Sequence, residues 1–258
     1  MYNNQSERLS EEHVIPFALG GELVILEASC QACQRIINET FEQRLITKTF
    51  ATIRFMVGLP SRDKGKSPKH TKVTHIVDGE EKQIVTSPDK AIAPFYTFVL
   101  EPPDFGLFPI PESRSLFKEL YFLMMHGDRT DIKARFQLKW KDLEVQQFGR
   151  LLAKIAHGFA IANKQFELFE VEPVLPPLIL GQPSELPLSY LVGGLTTGLA
   201  ADATDPSEVI HVLECSLTHT KTGTRVLVTK IQLFGNMGAP SYVVITGLEA
   251  GWQVAAQR

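Results

Sequence analysis

A Glu12-His13 dipeptide, a Gly20-Gly21 pair seven residues later and a Cys30-x-x-Cys33 pair nine residues after that constrain this chain more tightly than any other feature. The apolar residues Val14 and Ile15, and again Leu23 to Leu26, predict two short strands. Between them, Pro16 to Gly21 supplies the turn chemistry of a hairpin. Ser29 is placed to cap a helix beginning near Cys30. Ile37, Phe41 and Leu45 then recur every four residues and give that helix one buried face. Phe50, Ile53 and Val57 are available for a continuation, and Gly58-Leu59-Pro60 ends it. The expectation for the first 60 residues is strand, turn, strand and helix.

Three cysteines, two of them in one C-x-x-C, do not make a disulfide framework. A redox dithiol needs the pair between a strand and a helix of a thioredoxin-like unit, which the Gly20-Gly21 turn and short apolar strand do not build, so half of a metal site is favoured. With 44% hydrophobic and 21% charged residues, the chain falls in the globular class. No apolar run approaches the ~18 residues of a membrane helix, and Met1 to Ser10 lacks the apolar segment of a secretory signal. The expected location is the cytoplasm, with no membrane partner.

Charge is uneven. Between Arg44 and His75 there are eight basic residues against the single acid Asp63, while the whole chain carries a formal net charge of -3, leaving about -10 elsewhere. The Ser-, Gly- and Pro-rich stretch within this region reads as a basic linker or loop over 61–71. It divides a motif-bearing unit, 1–60, from a mixed α+β unit, 72–258. In the second unit, Val73 to Val77, Gln83 to Thr86 and Phe95 to Leu100 are strand candidates, the first two separated by an Asp78-Gly79 turn. An apolar helix is expected around Leu116 to Met125. A stronger one is expected over Lys141 to Asn163, where Val145, Phe148, Leu151, Leu152, Ile155, Phe159 and Ala162 share a face and Gln147, Arg150 and Lys154 lie on another. Strands are expected at about 208–219, 224–234 and 241–247. There is no internal repeat. The fold class predicted is α+β, with antiparallel strands in the second unit.

The opening string, together with Thr40-Phe41-Glu42, Gly58-Leu59-Pro60-Ser61-Arg62 and Lys154-Ile-Ala-His157, resembles the HNH, or ββα-metal, nucleases, in a bacterial group with a long C-terminal domain. The match is dense over residues 11 to 62 and sparse beyond. The resemblance implies phosphodiester hydrolysis, with DNA as the expected target and RNA as the second. It makes His13 the general base, since neutral imidazole accepts a proton at cellular pH, and Glu12 a ligand to magnesium or manganese. The family usually adds an Asn or His after the second cysteine; here Gln34 stands there, and Asn38, one turn on, is an alternative oxygen donor. An Asn that braces the base-bearing loop is replaced by Glu22. Cys30 and Cys33 correspond to half of a structural zinc site. Either the zinc site is lost, or a pair upstream of Met1 completes it. Arg54, Arg62, Lys64, Lys66 and Lys69 are the expected phosphate contacts.

Two other classes fit the same residues. One is a binding or scaffold protein retaining a degenerate HNH fold. The other is a metal or redox module centred on Cys30 and Cys33. His157 reads as a packed residue, Glu42 as a surface residue or a support for the metal end of the helix, and Cys215 as a small buried one. The oligomeric state is not encoded in any pattern found.

Overall fold

An 18-residue helix, Val145–Ala162 (α4), is apolar over most of its circumference and is packed on several sides. In the computed structural model, residues 8–59, 71–77, 80–86, 93–103, 115–125, 144–195, 211–220 and 222–252 are described. The basic stretch holding Arg62, Lys64, Lys66 and Lys69, the boundary expected at 60, and the Asp78-Gly79 turn lie outside those residues, whereas the boundary expected at 72 falls within the strand Thr71–Val77.

The chain opens with two antiparallel strands, β1 (Ser10–His13) and β2 (Val24–Ser29), joined by a loop with one 3-10 turn at Phe17–Leu19. The helical run that follows has three parts: α1 (Gln31–Ile37), a π-helical turn Asn38–Glu42, and α2 (Gln43–Thr47). After a break, α3 (Ala51–Val57) ends at Gly58, whose φ of 70° caps it in the left-handed region. The continuation expected through Phe50 is therefore a separate helix. The helix cap also differs from expectation: it is Cys30, not Ser29, whose side chain accepts from the Cys33 N–H.

Two hairpins follow, β3 (Thr71–Val77) with β4 (Glu80–Thr86) and β5 (Ala93–Leu100) with β6 (Phe117–Met125). The apolar run expected to be a helix at Leu116 to Met125 is thus a strand. A short apolar run cannot be assigned by periodicity alone, and its three aromatic residues and pairing with β5 decide it. Beyond α4 come α5 (Gln165–Phe169), β7 (Val171–Pro173), α6 (Pro176–Leu180), α7 (Leu188–Leu191) and β8 (Val192–Gly194). The last strands are β9 (Val212–His219), β10 (Arg225–Gln232) and β11 (Ser241–Glu249). They form an antiparallel sheet in the order β7-β11-β10-β9, with β8 also paired to β11. The fold is α+β, a ββα unit followed by a mixed region of antiparallel strands.

One apolar cluster runs through both regions. Val14, Ile15, Leu19, Ile37, Phe41 and Phe50 are contiguous with Phe98, Phe148, Leu152, Ile231, Phe234 and Tyr242. Phe148 of α4 is its hub, with ring centroids 6.1 Å from Phe50, 5.1 Å from Phe98 and 5.2 Å from Tyr242. Aromatic pairs at such separations add ~0.5–1.5 kcal/mol each beyond burial. The hairpin that carries Glu12 and His13 is therefore seated on a core built largely from the second half of the chain.

Candidate active site

The site starts from an irregularity in the first sheet. Ser10 pairs with Ser29 but Glu12 with Ile25, so β2 carries extra residues around Glu27, whose φ of 50° lies in the left-handed region. The bulge brings the Ser29 hydroxyl to Glu12 Oε2, 3.3 Å away. Glu12 and His13 are consecutive at the end of β1, so their side chains leave in opposite directions. Glu12 faces Ser29 and α4, whereas His13 faces the loop.

That loop depends on both glycines. Gly20 has a φ of 89°, which suits a residue without Cβ. At Gly21 a Cβ would stand 2.0 Å from the Ile15 carbonyl oxygen. This close return brings the Gly21 carbonyl to 3.2 Å from His13 Nδ1. Because a carbonyl can only accept, Nδ1 carries the proton and Nε2 keeps its lone pair. The ring is half-buried and lies 5.6 Å from Phe17, centroid to centroid.

Charge enters from α4. Lys154, predicted on a polar helix face, is only 1% exposed. Its ammonium donates to Glu12 Oε1 at 2.6 Å, to Glu42 Oε1 at 2.7 Å and to the His13 carbonyl at 2.8 Å. Burial alone would lower its pKa, but the charges of Glu42 and Glu12 and their hydrogen bonds outweigh that, holding it above the ordinary lysine value. The π-helical turn lets Phe41 enter the core while the next residue, Glu42, reaches Lys154. A second ion pair lies at the start of α4, where buried Glu144 meets Arg44 and, at 3.7 Å, Lys48. Part of the basic excess counted in the sequence is thus balanced within the fold.

The other candidates fall in different places. Gln34 donates from Nε2 to the Glu11 carbonyl at 3.0 Å, leaving its Oε1 beside the strand that carries Glu12. Asn38 is exposed at the start of the π turn. Cys30 is buried and its Sγ accepts from Cys33 N at 3.4 Å; none of the three cysteines is in a disulfide. Arg54 donates to the carbonyls of Ala18, at 2.8 Å, and Ile46, at 3.4 Å, and desolvation lowers its pKa. His157 is buried on α4, and desolvation pushes its pKa down to about 3, which fits the packed role expected for it.

The donor chemistry fits a hard divalent cation. The Glu12 carboxylate still has lone pairs beyond those used by Lys154 and Ser29, and the Gln34 amide oxygen is a neutral donor oriented by its own nitrogen. Were Glu12 a ligand, the hydrogen bonds from Lys154 and Ser29 would orient its carboxylate. Among the described residues no group of three or more His, Cys, Asp or Glu side chains could hold a metal ion. Such an ion would complete its shell from water and substrate, as magnesium commonly does.

Sequence reasoning passed over Lys154 and His211. Lysine within an apolar helix was a signal, because an ammonium so placed needs a buried carboxylate partner. His211 sits 192 residues from the loop it contacts, and nothing in its neighbourhood pointed there.

No curated protein and no solved structure matches the chain. Residues 2–50 match the model of the HNH endonuclease family, and the hairpin, the Glu12-His13 pair and the Cys30-x-x-Cys33 turn all lie within that match, so the N-terminal part of this chain is similar to an HNH endonuclease domain.

Proposed function

We propose that the protein is a metal-dependent endonuclease acting on DNA, with His13 as general base. The observation that carries this reading is the Nδ1 contact to the Gly21 carbonyl, which fixes the tautomer a base requires. With Nε2 unprotonated on a half-buried ring, the imidazole can take a proton from a water attacking phosphorus. Phe17 beside the ring limits its rotation. Glu12 and Gln34 would hold magnesium or manganese, which when bound supplies charge neutralisation at the phosphate and assistance to the leaving oxygen. Asn38 is a further oxygen donor on the same helical run. Cys30 and Cys33 would give two of the four ligands of a structural zinc. Arg62, Lys64, Lys66 and Lys69 supply cations for the DNA backbone, whereas Arg54 works chiefly inside the fold.

Purified protein is expected to nick supercoiled plasmid when magnesium or manganese is added. His13→Ala should reduce the rate by at least ~100-fold. Equal nicking by the variant removes His13 from the role of base. A binding-only reading draws on one observation, the engagement of both Glu12 oxygens by Lys154 and Ser29. Its result would be salt-sensitive DNA binding without cleavage under either metal. Parallel digestion of single-stranded RNA distinguishes the two nucleic acids.

A further inference from the structure

We propose that Lys154 and His211 are positioning residues for His13, so that the second half of the chain completes the geometry of the N-terminal site. This rests on the reading of His13 as base. The Glu22 position, where the resemblance expects a loop-bracing Asn, is exposed, so the loop needs its support from elsewhere. The structure supplies that support at three of the loop's carbonyls. Arg54 Nε donates to Ala18 O at 2.8 Å, His211 Nε2 to Leu19 O at 2.8 Å, and His13 Nδ1 to Gly21 O.

His211 can do this in only one protonation state. Its Nδ1 accepts from the Phe234 N–H at 3.2 Å, which leaves Nε2 as the donor to Leu19. The ring also stands edge-on to Phe234 at 5.0 Å. The brace is therefore tied to the core on one side and to the base-bearing loop on the other.

Lys154 holds the opposite side. All three ammonium protons are committed, to Glu12, Glu42 and the His13 carbonyl, and the side chain is 1% exposed. It has no proton left for a phosphate and no route to one, so its effect is exerted through His13 and Glu12. One ammonium fixes the backbone of the base and the carboxylate beside it, while His211 fixes the loop that sets the imidazole tautomer.

The test uses the full chain and two readouts. Long-range ¹⁵N–¹H spectra report the His13 tautomer, and plasmid nicking reports kcat and KM across pH. In the unaltered protein the Nδ1–H form should dominate. His211→Ala is expected to give a mixture of tautomers and to lower kcat by about 10-fold or more with KM within about two-fold, since small misplacements of a catalytic group cost rate. His211→Gln, which can still donate to Leu19 O, should recover most of the loss. Lys154→Met should show the same split, with circular dichroism used to score the folded fraction. Unchanged tautomer and kcat in His211→Ala and in folded Lys154→Met overturn the proposal. A tautomer shift in a protein that never nicks DNA would support the positioning and refute the nuclease reading instead.

Discussion

The loop Pro16–Gly21 and the turn Cys30–Cys33 belong to the same short string, yet they are held by different means. Besides the loop's own backbone bonds to the Pro16 and Phe17 carbonyls, its carbonyls at Ala18, Leu19 and Gly21 are met by Arg54, His211 and His13, two of these groups coming from well outside the hairpin. The cysteine turn is met by its own backbone, with Cys30 Sγ receiving the Cys33 N–H and the Cys30 carbonyl receiving the Gln34 N–H at 3.0 Å. A locally closed turn survives changes elsewhere in the molecule. A loop braced from a distance registers them.

The largest effect that separates the two is expected at Gly21. In Gly21→Ala the new methyl meets the Ile15 backbone at 2.0 Å, so main chain must move. A loss of about 3 kcal/mol or more in urea unfolding is expected, with nicking reduced to background. A change under ~1 kcal/mol with activity intact would show that the loop does not need its close return.

Acid comes next. Burial holds the pKa of His211 below its ordinary value of 6.5 and pushes that of His157 down to about 3. Both stay neutral in the fold and protonate more readily once unfolded. Their contribution is therefore complete above about pH 6.5 and is lost as pH falls from there toward the folded values, at a limiting slope of about 1.4 kcal/mol per unit for His157. Urea midpoints at pH 7, 6 and 5 measure this, and His157→Leu should flatten the slope. Amide protection factors at Gly20 and Gly21 should fall with acid before that at Gln34 does. A simultaneous fall would erase the contrast between loop and turn.

The smallest effect belongs to the turn. Serine is a strong helix cap, so Cys30→Ser should stay within about 1 kcal/mol of the parent in thermal unfolding and keep its nicking rate. A larger loss, accompanied by zinc in the parent protein, would give the cysteines a role beyond capping.

What the sequence made legible follows the same division. The hairpin and helix at the start were readable because turn glycines and a four-residue apolar repeat are local signals, and Ile37, Phe41 and Leu45 are indeed buried. Helix α4 was readable for the same reason. The bulge at Glu27 and the π turn at Asn38–Glu42 were not, since each is a departure from periodicity that tertiary packing sustains. The burial of Lys154 was signalled by its place in an apolar helix, but its partners and those of His211 were beyond reach, because the His13 and Leu19 carbonyls lie 141 and 192 residues away and one sequence carries no record of such pairings. Among the described residues, the helix-versus-strand ambiguity at Phe117–Met125 led to an opposite assignment, decided by a partner strand.

The span between Leu19 and His211 also has a meaning in time. During synthesis the hairpin leaves the ribosome long before β9, so the contact that secures the loop forms only after most of the chain has been made. Contacts of such separation close slowly because loop entropy must be overcome first. A fragment ending before β9 would present Glu12 and His13 without the brace from the later chain. The order of synthesis thus delays assembly of the geometry around Glu12 and His13 until β9 has been made.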